Sequence, residues 1–175
     1  MPVSKKHRKA KTSRPTATGD TVIRKQIAQF LEESHAHAGF DAAVDDFLPE
    51  LRGEKPAGAP HTAWQLLEHM RIAQWDIFEF SRDGRHKSPK WPEGYWPESE
   101  APTSEKAWDE SVRRFRAERR AMQKLVLDAT RDLSAIVPHA QSQTLIREAL
   151  LLMDHNAYHT GQLVLLRRLM GAWEA

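Results

Sequence analysis

After about residue 19 apolar residues recur at intervals of three and four, the period of an amphipathic helix, and nowhere alternate over a useful length as strands do. A first helical stretch is predicted from a cap at Asp20 or Thr21, with Ile23, Ile27, Phe30 and Leu31 on one face. The pattern weakens at Gly39 and resumes through Phe40, Val44, Phe47 and Leu48, which fits either one bent helix or two short ones. Gly53, Pro56, Gly58 and Pro60 then exclude regular structure. Thr62 is expected to cap a second helix carrying Trp64, Leu67, Ile72, Trp75 and Phe78, stopped by Asp83 and Gly84.

Residues 84–102 hold Pro89, Pro92, Pro97 and Pro102, a long connection of the kind that is often functional. Its Trp91, Tyr95 and Trp96 suit a segment pinned to the body, either as a lid or as cover for its flank. A third helix is predicted from Thr103 or Ser104 through Trp108, Val112, Phe115, Met122, Leu125, Ala129 and Leu133, ended by Pro138. A fourth runs from about Ser142 to Met170, with Gly171 as its stop. Four long amphipathic helices imply an all-α protein built as a four-helix bundle.

Composition agrees with this reading. The chain has 175 residues, 40% hydrophobic and 29% charged, enough for one domain with a real core. No run approaches the roughly 18 apolar residues of a membrane span, and no apolar stretch follows the basic N-terminus as in a secretory signal. With no cysteine there is neither disulfide framework nor thiolate site, so a cytoplasmic setting is expected. The net charge of +2 hides an asymmetry: Lys5, Lys6, Arg8, Lys9, Lys11 and Arg14 stand in the first 19 residues without an acid. Removing them leaves 20 basic against 24 acidic residues, a net charge of −4. Residues 1–19 therefore read as a disordered basic arm, either a plain solvated tail or a weak contact for nucleic acid or another polyanion, and residues 20–175 as the domain. The acidic body argues against DNA binding as the main function.

The nine histidines carry the chemistry. His155 and His159 are four apart on the fourth helix, so both rings can face one ion, and His69 lies midway along the second. If those helices are neighbours, three imidazoles converge, leaving an open coordination position for water or substrate; the bland alternative is a set of hydrogen-bonded core histidines. Imidazole suits Zn²⁺ and Ni²⁺, and Fe²⁺ or Co²⁺ as well. Asn156 stands where a zincin requires its glutamate, which excludes that class. Asp76, two turns beyond His69, either assists the site or pairs with an arginine of the third helix. Gln162 either bonds a ligand ring or packs, His35 and His37 either approach the site or lie on the surface, and His61 reads as loop. Tyr158 points away from the two histidines and is assigned to core or interface. The run Arg113, Arg114, Arg116, Arg119 and Arg120 reads as a solvated helix face.

The segments Trp64-Gln65-Leu66-Leu67-Glu68-His69-Met70 and Asp154-His155-Asn156-Ala157-Tyr158-His159-Thr160-Gly161-Gln162-Leu163 resemble the DinB-like (DinB/YfiT) superfamily. Residues 88–97, Ser-Pro-Lys-Trp-Pro-Glu-Gly-Tyr-Trp-Pro, look like a feature of one of its subgroups. The resemblance covers roughly residues 20–172. It implies an up-down-down-up bundle, commonly dimeric, that holds one divalent metal through His69, His155 and His159. Activities known in that family include thiol-dependent S-transfer, mycothiol-dependent isomerisation and metal-dependent hydrolysis, so a small thiol co-substrate is an expectation. The rival is a non-catalytic metal-binding stress or interaction protein. A dimer surface is expected near Leu169 and Trp173.

Overall fold

The computed structural model describes residues 18–32 and 36–173. Most of the predicted basic arm, and His35, lie outside the described residues. Among those described the fold is all-helical: α1 (Gly19–Glu32), α2 (Phe40–Val44), α3 (Ala63–Arg82), α4 (Glu105–Leu127) and α5 (Leu145–Leu169), with 3-10 turns at Pro49–Leu51 and Glu93–Tyr95. Beta pairing among them is limited to one isolated bridge, Ile136 to Thr144.

The helix starts follow side-chain chemistry. The Thr62 hydroxyl accepts from Gln65 N while the Gln65 carbonyl accepts from Thr62 N, a reciprocal capping box. Ser104 and Thr144 cap α4 and α5 by accepting from Ala107 N and Arg147 N. Gly171, at φ 71°, follows the C-terminus of α5 in a left-handed conformation that glycine adopts freely. The alternative left open at Gly39 resolves into two helices, α1 and α2.

One boundary corrects the sequence reading. The third long helix stops at Leu127 rather than running to Pro138, although Leu133 is buried as its periodicity suggested. Asp128 Oδ1 accepts from Thr130 N and Asp132 Oδ1 from Ser134 N, and such local bonds compete with helix propagation. Arg24, on α1 and only 5% exposed, donates to the carbonyls of Val126, Asp128 and Arg131, where a helix end presents unpaired acceptors. The fourth long helix likewise begins at Leu145 rather than Ser142.

Long-range bonds give the helix directions. Gln123 on α4 donates to the Ala28 carbonyl and Arg24 reaches Val126, so α1 and α4 run antiparallel. Ser111 bonds Glu68 and Gln74 bonds the Phe115 carbonyl, so α3 and α4 run in the same direction. Leu66 lines a common slot with Leu166 while Ile77 clusters with Leu152, so α3 and α5 are antiparallel neighbours, and they meet through His69 with His155 and Gln74 with Asn156. Two apolar clusters fill the interior. One gathers around Leu67, Met70, Phe115 and Leu163, the other around Ile77, Met122, Val126 and Leu152. Polar side chains of α3 and α5 meet inside this packing, and the histidines are among them.

Candidate metal centre

Antiparallel packing of α3 against α5 brings His69 opposite the pair His155 and His159. One nitrogen from each ring lies within 4.8 Å of the others. His69 and His159 are buried and His155 half-buried. The rings tilt around a common point, His155 and His159 with centroids 4.5 Å apart and His69 and His159 4.6 Å apart.

Two of the rings are held from behind. His69 Nδ1 donates to the Tyr95 carbonyl at 2.9 Å, and His159 Nδ1 donates to Gln162 Oε1 at 2.6 Å. Because those oxygens only accept, each neutral ring keeps its proton on Nδ1 and presents the Nε2 lone pair to the cluster. His155 Nε2 lies 3.1 Å from His69 Nε2. His155 Nδ1 and the adjoining Asn156 Oδ1 are buried without hydrogen-bond partners. Burial holds His69 down to about 4, against the pull of the Tyr95 carbonyl. Burial also holds His155 down to about 4, reinforced by His159 and His69 and opposed by the Asn156 side chain. The His159 ring is likewise lowered by burial. The cluster is thus neutral at neutral pH, with no carboxylate among its donors. Neutral imidazoles aimed inward from a tethered tautomer are a donor set that could hold a divalent cation.

The 84–102 connection forms the wall of the site. Trp96 stacks on His69 at 3.9 Å with rings 3° from parallel, and on its other face takes His61 at 4.0 Å. Tyr95 donates its hydroxyl to Asp76 Oδ2 at 2.6 Å, and His86 Nε2 donates to Asp76 Oδ1 at 2.7 Å. Among the described residues Asp76 pairs with no arginine of α4; it ties residues 86–95 to α3 and so fixes the carbonyl that His69 uses. The Tyr95 phenol, pushed up to about 12 by burial and by Asp76, remains a donor.

Of the open alternatives, Gln162 bonds a cluster ring. Tyr158 is 64% exposed, which removes the core assignment. His37 is exposed and bonds the Ala38 carbonyl. Trp96 covers the site, while Trp91 at 69% exposure does not close over it. The arginine run is mostly paired: Arg113 and Arg114 with Glu110, Arg116 and Arg119 with Asp41. Sequence reasoning missed the Tyr95 carbonyl and the placement of His61. A backbone acceptor leaves no side-chain signature, and a histidine in a Gly/Pro-rich loop gives no periodicity. It also missed Gln74, fully buried between Asn156 and the Phe115 carbonyl, whose amide on a core-facing position was a legible anomaly.

A family model described as the DinB superfamily matches residues 26–163, well over half of the 175-residue chain. No curated protein and no solved structure matches.

Proposed function

We propose, from the premise that this chain belongs to the DinB superfamily, that it binds one divalent metal ion through His69, His155 and His159 and uses it in catalysis. The observation that carries the reading is the inward convergence of three neutral imidazoles, two of them fixed in tautomer by Tyr95 and Gln162. Zinc or nickel suits such a donor set best, with iron and cobalt compatible. The proposed architecture is a four-helix bundle of α1, α3, α4 and α5 in up-down-down-up order, a reading supported by the antiparallel α1/α4 and α3/α5 pairs and the parallel α3/α4 pair.

When bound, the ion would supply Lewis acidity, lowering the pKa of a coordinated water or thiol or polarising a carbonyl. The protein's part is positional. Tyr95 and Gln162 hold two rings in place, Asp76 fixes the Tyr95 segment, and Trp96 keeps water off one face of His69. Three protein donors leave room for an exogenous one, which supports thiol-dependent S-transfer or hydrolysis, in the cytoplasm, over a closed structural site. A homodimer is part of the proposal, because α5 leaves Leu150 and Tyr158 at least half exposed.

Metal content of untagged protein, measured by inductively coupled plasma mass spectrometry beside a His155→Ala/His159→Ala variant, tests the reading. Near-stoichiometric metal in the parent, lost in a variant with unchanged circular dichroism, is the expected result. A parent that takes up neither Zn²⁺ nor Ni²⁺ on reconstitution would sink it.

A further inference from the structure

Beside the histidine cluster, between the Ala57–His61 turn and the last turns of α5, lies a slot of about 210 Å³. Its walls are the turn on one side and Leu66, Leu165, Leu166 and Leu169 on the other. Apart from the backbone, the polar groups that line it are His61 and Gln162. Gln162 bonds His159 directly, and His61 is one ring removed, stacked on the Trp96 that covers His69. Leu66 lies one turn before His69 on α3, and Leu166 two turns beyond His159 on α5. At about 1.5 Å per residue, the slot extends roughly 15 Å from His159 along α5, as far as Leu169.

An apolar slot whose two polar side chains are the ones linked to the cluster selects a molecule with the same polarity. We infer that this slot receives the apolar tail of a substrate whose heteroatom, a thiol or other metal-directed group, engages the histidine cluster; the inference rests on the metal reading above. The occupant is a small amphiphile with a linear alkyl or a phenyl group. An apolar cavity of roughly 150 Å³ accepts the six carbons of benzene, so 210 Å³ accommodates about eight. The sides of the slot differ in rigidity. Leu66 and Leu166 are fixed in the core at 2% and 5% exposure, whereas Leu165 and Leu169 stand 55% and 57% exposed along an open edge. The turn is set by the Ala59 N to Pro56 O bond and by Gly58 at φ 84°, where a side chain would be strained. The open edge lets a longer tail pass out to solvent, so the slot measures tail length only up to its own capacity.

The test uses cobalt-loaded full-length protein and n-alkyl thiols of two to about ten carbons. The thiolate-to-cobalt charge-transfer band reports head-group engagement, and its titration gives Kd. The expected Kd falls about fourfold per added methylene, the full-burial value, up to about eight carbons, and then levels off. Ala57→Glu on the turn and Leu165→Glu on α5, both at exposed positions, are expected to cut that gain below about twofold per methylene with the band unchanged. A Kd independent of chain length, with the band intact, would overturn the slot and leave the metal site standing. Protein that takes up no cobalt would overturn the metal reading and the slot with it. Chain-length dependence that survives both substitutions would place the tail elsewhere and also overturn the inference.

Discussion

Replacing Asp76 by Asn keeps the shape of the side chain but removes half of its acceptor capacity. Asp76 is 8% exposed and receives two charge-assisted bonds, from Tyr95 Oη at 2.6 Å and His86 Nε2 at 2.7 Å. An Asn can satisfy one of these donors through its oxygen and must turn its NH₂ toward the other. A lost bond to a charged group costs about 1.5–3 kcal/mol, and a donor left unpaired costs more when buried. Tyr95 is only half-buried, so water rescues part of the loss, and about 2 kcal/mol is expected. The assay is urea unfolding of the metal-free protein followed by tryptophan fluorescence, with Tyr95→Phe as a control that removes one bond and costs about 1 kcal/mol. Since the same segment supplies the carbonyl that orients His69, Asp76→Asn is also expected to weaken zinc affinity by roughly 10- to 100-fold, the usual effect of disturbing a ligand's supporting bond. A variant within about 0.5 kcal/mol of the parent, with unchanged zinc affinity, would refute the reasoning. Lost stability with unchanged affinity would show that the segment supports the fold without positioning His69.

Other consequences can be measured directly. Glu118 Oε2 is buried without a hydrogen-bond partner, and burial pushes its carboxyl from the ordinary 4.5 up to about 7 against the pull of Arg71 and Arg114. A raised folded-state value makes this residue's contribution fully present below 4.5 and lost as pH rises toward 7. Glu118→Gln should therefore match the parent in urea unfolding at pH 4 and exceed it by about 1–2 kcal/mol at pH 8, after allowance for partial exposure. Arg24→Met should cost about 3 kcal/mol in the same assay, because three carbonyls at the end of α4 lose their donor and Asp20 its partner. Gln162→Leu is expected to leave unfolding nearly unchanged while lowering zinc affinity about tenfold in competition with a chelating dye.

The chain alone settles most of the helix limits, because their causes are local. Thr62 and Ser104 cap within three residues of themselves, Gly171 stops α5, and apolar period marks the faces of Leu67, Phe115 and Leu163, while the Thr144 cap lay two residues beyond the start read at Ser142. It also determined that His155 and His159 share a face, since a four-residue spacing is a fixed angle on a helix. Periodicity was less exact about which flank turns inward. Ile23 and Phe30 carry the pattern yet stand 44% and 60% exposed, whereas Leu66, Met70 and Ile77 take the centre of α3 in place of Ile72 and Trp75. The end of α4 was read too far along the chain because Leu133 is buried from a turn, and burial there mimics helical period. Helix packing set His69 opposite the pair, Trp96 between His61 and His69, and Asp76 against Tyr95 and His86. Those contacts join residues far apart in the chain. Their geometry is set by how helices pack and where an irregular, proline-rich segment is pinned, and neither leaves a period in the sequence.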